Sequence, residues 1–323
     1  MVESFVRYSL YATVNIKVSF LRIKIHLLFY LRLMDRIHLV ECPRDALQGW
    51  PHKISTADKI TYYRSLLDVG FDTLDLGSFV SPRAVPSMAN TDKVLAVLED
   101  ESVLPKSGTR ALVIVANERG ASQASVFNSV NDLGFPLSLS ESFQQRNTGA
   151  SITEAFERIE SIQSVCQNND KRLVVYLSMG FGNPYGDVWH EDMLAEFSTK
   201  LYQDLGVGVI ALSDTVGTAN EATVKKAFQG VISELPEVEF GAHLHLHATA
   251  GLKKIEAALA GGCRRFDGAI RGIGGCPMAQ DDLVGNAPTE KMVELFTSKG
   301  LWSVKDERAW SQSQSLAASI FES

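Results

Sequence analysis

Gly241-Ala242-His243-Leu244-His245 ends an apolar run, 239–245, that reads as a β-strand. In a strand alternate side chains share a face, so His243 and His245 point the same way. Two imidazoles at that spacing can hold one divalent ion; the other reading is a pair of hydrogen-bonded interior histidines. Outward from this stretch the chain repeats one theme. Short β-rich runs at 37–41, 73–76, 111–116, 136–140, 172–178, 206–213, 239–245 and 264–270 are each followed by a helical pattern. The helices are expected around 56–69, 91–100, 120–133, 151–167, 189–205, 219–234, 250–261 and 286–299. Thr56 and Asp58 suit a helix start, and Gly70, Gly134 and Gly206 suit helix ends. Pro136 is expected to open its strand, because a proline inside a sheet removes a ladder hydrogen bond. Eight strands alternating with eight helices predict an α/β fold, a single (β/α)8 TIM barrel. A doubly wound sheet would carry a glycine-rich phosphate loop after its first strand. Here Cys42-Pro43-Arg44-Asp45 stands in that place.

Barrel closure makes strands seven, eight and one neighbours, and catalysis in barrels occurs at the C-terminal rim. Asp45 follows strand one, His243 and His245 end strand seven, and Asn286 follows strand eight. Alone, Asp45 would read as a helix cap or turn residue. Together the four form a mixed nitrogen and oxygen donor set. Such a set suits Mg2+, Mn2+ or Co2+ better than structural zinc, which prefers thiolates.

The 323 residues are 45% hydrophobic and 21% charged, enough apolar surface for a globular core. The net charge of -7 and the lack of a basic, aromatic-interleaved run after residue 40 argue against a nucleic-acid partner. The four cysteines, Cys42, Cys166, Cys263 and Cys276, form no CxxC pair. That argues against a disulfide framework and fits a reducing cytoplasm. Residues 1–33 are basic and acid-poor, and their apolar stretch is broken by Arg22, Lys24 and Arg32. No membrane span is expected there. This segment reads as a leader or a mis-assigned upstream extension, with the barrel over 34–305 and a tail over 306–323. The Ser/Gln/Ala-rich stretch from Ser311 to Ser323 is expected to be a frayed helix or disordered.

Five stretches occur in order: Pro43-Arg44-Asp45-Ala46-Leu47-Gln48, Gly77-Ser78-Phe79-Val80-Ser81-Pro82, Ser213-Asp214-Thr215-Val216-Gly217, Gly241-Ala242-His243-Leu244-His245 and Gly274-Gly275-Cys276-Pro277. As a set they resemble the 3-hydroxy-3-methylglutaryl-CoA lyase family of metal-dependent lyase and aldolase barrels, over about residues 37–300. The resemblance implies that Asp45, His243, His245 and Asn286 bind a divalent metal, Mg2+ or Mn2+. It implies that Arg44 stabilises negative charge on a thioester oxygen, that Asp75 and Asp214 assist catalysis and positioning, and that Cys276 is a mobile-loop cysteine needed for activity. His243 is also a candidate proton carrier. The implied reaction is retro-Claisen cleavage of an acyl-CoA substrate by a cytoplasmic homodimer with no membrane partner.

The chain also departs from the pattern. Ala46 replaces a glycine, Arg83 a lysine, and Asp75 a glutamate one methylene longer. Leu246-His247 follows His245 where the family has Asp-Thr. A shifted ligand pair, His245 and His247, shortens the spacing to Cys276 by two residues and is set aside; His247 is expected at the rim. Gly180 to Gly186 reads as a rim turn, and Trp189, Trp302 and Trp310 as packing residues. A Claisen-condensing acyltransferase, isopropylmalate or citramalate synthase-like, is the second reading. Such enzymes often add a C-terminal regulatory domain, which is not expected here, and Gly274 to Pro277 favours the lyase. A barrel that has lost catalysis is the third reading, and the intact ligand set argues against it.

Overall fold

A computed structural model describes residues 36–247, 251–275 and 284–322. The expected leader, 1–33, and Cys276 lie outside the described residues. The compact unit His38–Ser323 is built on a closed parallel barrel of eight strands. In chain order the strands are β1 (His38–Glu41), β2 (Thr73–Ser78), β3 (Arg110–Ile114), β4 (Val130–Ser138), β5 (Arg172–Ser178), β6 (Val209–Asp214), β7 (Glu239–Leu244) and, after a two-residue β8 (Leu246–His247), β9 (Arg265–Gly268). Each pairs with the next, and β9 closes on β1 through His38 with Arg265 and Glu41 with Gly268. The short β10 (Val284–Gly285) pairs antiparallel with β8 outside the barrel.

The alternation read from the sequence becomes two layers. Leu112, Ile114, Val174, Tyr176, Val209 and Ala211 form one buried cluster inside the barrel. The residues between them turn outward under the helices, so strands such as Arg172–Ser178 are apolar on both faces. In β7 the glycine has a reason. A Cβ on Gly241 would sit 3.0 Å from Cδ of Arg265, whose fully buried side chain runs beside it.

The helices are α1 (Pro43–Gln48), α2 (Thr56–Val69), α3 (Thr91–Asp100), α4 (Val103–Ser107), α5 (Glu118–Ser125), α6 (Glu141–Thr148), α7 (Ile152–Asn168), α8 (Met193–Thr199), α9 (Glu221–Glu234), α10 (Lys253–Ala260), α11 (Thr289–Ser298) and α12 (Glu307–Phe321). Helix α2 starts where Ser55 accepts from the Asp58 N–H and stops at Gly70, which has φ 93°. Among the described residues no helix is long and apolar enough to cross a membrane.

Two expectations fail. The helix expected over 120–133 ends at Ser125, and β4 begins at Val130, so Gly134 and Pro136 lie inside a strand. Polar Asn131 and Asp132 disguise the strand start. Asn131 accepts from the Ala111 N–H at 2.9 Å, and Asp132 binds Arg110 and Arg172. Pro136 is tolerated because the Gly134 carbonyl, on the same side, accepts the bond from the Val115 N–H, and the β3 ladder ends at Gly134. The missing N–H therefore falls past the last β3 pair. The second concerns the tail, which is a helix but neither frayed nor disordered. Residues 307–321 form α12, capped by Asp306 and docked on α2, with Ser313 Oγ 3.0 Å from Ser65 Oγ and Phe321 edge-on to Trp50 at 5.2 Å. The Ser and Ala residues are small contact positions for a neighbouring helix, with Ser313 and Ala317 fully buried.

The N-terminal end of the barrel is closed by charge. Asp132 accepts from Arg110 at 2.6 Å and Arg172 at 3.1 Å. Arg172 reaches Glu239 at 2.9 Å, and His38 reaches the same carboxylate at 3.0 Å. Burial raises the Glu239 pKa, but the His38 bond and the Arg265 charge outweigh it and hold the group at about 2.

Candidate active site and metal centre

Beyond Glu41 the chain turns through Cys42 into α1, where Pro43 opens the helix and needs no N–H partner. Arg44 and Asp45 therefore sit in the first turn of a short helix on the rim of β1. His243 lies on β7, and His245 lies one residue past its end. Donor atoms of Asp45, His243 and His245 all fall within 4.8 Å of one another. Asn286 joins them, its amide nitrogen 2.7 Å from Asp45 Oδ2 and 2.9 Å from the Ile273 carbonyl. The glycine pair explains the close fit. Gly274 has φ 93°, and a Cβ there would lie 2.7 Å from the Asn286 amide and 2.9 Å from the Asp45 carbonyl. His247 is exposed on β8 and stands outside this cluster.

Each imidazole is oriented from behind. His243 Nδ1 lies 3.3 Å from Asp267 Oδ2, and His245 Nδ1 lies 2.8 Å from the Thr215 carbonyl. A carbonyl only accepts, so Nδ1 of His245 carries the hydrogen and Nε2 carries a lone pair. That Nε2 is buried and has no hydrogen-bond partner among the described residues. An orphaned acceptor beside a carboxylate and a second imidazole fits a divalent cation. Burial, then the neighbouring His243, lowers the His245 pKa to about 4, so its ring is neutral. Burial works against the Asp45 charge, but Arg44 and His243 outweigh it and hold the carboxylate at about 2. For His243 burial is outweighed by the bond and charge of Asp267, and the pKa rises.

Arg44 is clamped on three sides. It donates to Asp75 Oδ2 from Nη2 at 2.6 Å and Nε at 2.9 Å, and to Asp45 and Gln48 from Nη1 at 3.0 Å each. Burial lifts the Asp75 pKa to about 6 against the pull of Arg44, and its Oδ1 is buried without a partner. Arg44, Asp45, Asp75, His243 and His245 line one wall of a cavity of about 450 Å³. Phe143 and Arg146 of α6 line it too, and Arg146 rests 4.6 Å over the ring of Tyr185 from the Gly180–Gly186 loop.

Asp214 is placed differently. It is fully buried, does not line this cavity, and accepts from Lys254 Nζ at 2.6 Å. Sequence reasoning missed Asp267 and Lys254. Asp267 left a signal, an acid two residues after Arg265 in the same strand run and so on the same face. Lys254 left none, since a lysine in a Lys-Lys pair reads as a solvated helix residue.

The family described as HMGL-like matches residues 37–316. A Pseudomonas aeruginosa protein named 3-hydroxy-3-isohexenylglutaryl-CoA/hydroxy-methylglutaryl-CoA lyase is 31% identical over 268 residues, covering 82% of this chain and 86% of its own. The structure of an Acinetobacter baumannii HMG-CoA lyase in complex with coenzyme A and 3-methylmalate superposes with a TM-score of 0.79 at 29% identity, over 90% of this chain and 92% of that one. The Bacillus subtilis HMG-CoA lyase superposes with a TM-score of 0.81 at 27% identity, over 89% and 94%. Motifs, barrel and matches agree that this chain belongs to the HMGL-like family.

Proposed function

We propose that this chain is a carbon–carbon lyase that cleaves 3-hydroxy-3-methylglutaryl-CoA to acetyl-CoA and acetoacetate. One observation carries the reading: Asp45, His243 and His245 converge at the cavity wall with the clamped guanidinium of Arg44 beside them. Asp45, His243, His245 and Asn286 would hold a divalent ion, Mg2+ or Mn2+. When bound, the ion supplies positive charge that acidifies and orients the substrate's C3 hydroxyl. The C2–C3 bond then breaks toward C2, and the acetyl-CoA portion leaves as an enolate. Arg44 is permanently charged and is fixed by Asp75, Asp45 and Gln48, so it meets the enolate oxygen without reorganising. Asp75 acts by holding that fork in plane. Protons must leave the hydroxyl and reach C2, and His243, Asp45 and Cys276 are the proposed carriers. Asp214 serves positioning.

The test is acetoacetate release from the CoA ester with Mg2+ or Mn2+, before and after chelation. Release that chelation abolishes is expected; no product with either ion sinks the proposal. Longer 3-alkyl analogues belong in the same assay, since any 3-hydroxy-3-carboxymethyl thioester presents the same reacting atoms. A homodimer in the cytoplasm completes the reading. The described cysteines Cys42, Cys166 and Cys263 are free and buried, which fits a reducing compartment. Light scattering and cell fractionation check these two points.

A further inference from the structure

We infer that Lys254 is a positioning residue for the metal centre: its buried pair with Asp214 holds the turn that fixes the tautomer of His245. This rests on the reading that Asp45, His243 and His245 hold the ion. Lys254 stands at the start of α10, yet its side chain leaves the helix surface and only 11% of it is exposed, while that of Asp214 is 1% exposed. The ammonium spends its three donors on Asp214 Oδ2 at 2.6 Å, the Gly217 carbonyl at 2.7 Å and the His245 carbonyl at 3.5 Å. Two of those acceptors, Asp214 and Gly217, bracket the turn after β6, and the third belongs to the histidine itself.

The turn is tied to His245 twice more. The His245 N–H donates to the Asp214 carbonyl at 3.3 Å, and its Nδ1 donates to the Thr215 carbonyl at 2.8 Å. The second bond decides which ring nitrogen faces Asp45 and His243. Asp214 is steadied in turn by the Ala219 N–H at 3.2 Å. The turn also has little room to shift: Gly217 has φ 70°, and a Cβ there would lie 2.7 Å from Val284. Without the lysine, Asp214 is a buried carboxylate with no counter-charge, and the turn carrying Thr215 loses its anchor. The Nδ1 bond then no longer enforces the lone pair at Nε2, and the affinity of the site falls.

A merely structural role would fasten α10 to the barrel and affect thermal stability alone. The experiment titrates Mn2+ into chelator-stripped full-length protein without substrate, reading bound ion by calorimetry and the thermal midpoint in parallel. Lys254→Met is expected to weaken Mn2+ binding by about 10–100-fold, the cost of losing an outer contact of a metal-ligating histidine. Lys254→Met with Asp214→Asn leaves no unpaired charge. It is expected to recover thermal midpoint while Mn2+ affinity stays low, and it keeps the test open if the single variant does not fold. Either variant binding Mn2+ within about twofold of the unmodified chain overturns the inference. An unmodified chain that binds no Mn2+ overturns the ligand reading beneath it, a different result.

Discussion

At the N-terminal end of the barrel, Asp132 and Glu239 are surrounded by Arg110, Arg172, Arg265 and His38. At the opposite rim, Asp45 and Asp75 meet Arg44, but Oδ1 of Asp75 and Nε2 of His245 are buried without hydrogen-bond partners among the described residues. Both ends use carboxylates, arginines and histidines, and both are enclosed. The difference is the kind of atom left over. At the lower end the carboxylates Asp132 and Glu239 are paired, and the buried atoms of Arg265 without a hydrogen-bond partner among the described residues are N–H donors, Nε and Nη2. At the upper rim they are acceptors, Oδ1 of Asp75 and Nε2 of His245, and both residues line the cavity, so there the unused lone pairs suit a cation.

The comparison breaks most visibly at Arg44. Arg44→Lys is expected to lower kcat by about 100-fold with KM little changed, because an ammonium cannot reproduce the planar fork that Asp75 and Gln48 hold. Steady-state kinetics with unchanged kcat would remove Arg44 from the enolate. At the other end, Asp132→Asn is expected to cost about 2 kcal/mol of stability, since Arg110 and Arg172 lose their buried carboxylate but can turn to water. Its kcat should match the unmodified enzyme. Urea unfolding and the same assay check both halves, and a large loss of kcat with stability intact would mean the two ends are not separate.

The last test reads pH dependence at a carboxyl that belongs to neither set. Glu41 accepts from Thr289 at 2.5 Å and from the Ile270 N–H at 3.0 Å, and burial pushes its pKa up to about 8 despite both bonds. A folded pKa raised above the unfolded value means that the folded state keeps the proton longer. Its stabilising contribution is complete at acid pH, below the unfolded pKa, and is lost as pH rises through about 8. Glu41→Gln should flatten the fall in urea midpoint between about pH 5 and about pH 9. Equal slopes in the two proteins would show that Glu41 is ionised in the folded state at neutral pH.

The barrel and much of the rim were legible because each depends on a short-range pattern. Alternation in 239–245 places His243 and His245 on one face, and barrel closure alone carries Asp45 to them. What escaped depends on pairing across the fold. Val130 to Gly134 reads as a helix end because Asn131 and Asp132 are polar, and only β3 and β5 show why a strand needs them there. In the tail a helix was within reach but its docking was not: Ser and Gln suggested fraying, whereas Ser313 meets Ser65 and Phe321 packs edge-on to Tyr62 of α2. Lys254 could not be found at all, since its meaning comes from a turn forty residues earlier in the chain.

The crossing of Gly241 and Arg265 has a consequence for how such sequences drift. The guanidinium stem fills the volume that any side chain at 241 would claim, with Cγ 3.3 Å from where a Cβ would stand. The two positions are therefore mutationally coupled: an alanine at 241 requires the Arg265 stem to give by a few tenths of an ångström, and a larger side chain there favours something shorter at 265. Among descendants of this chain, large side chains at 241 should come with shorter ones at 265.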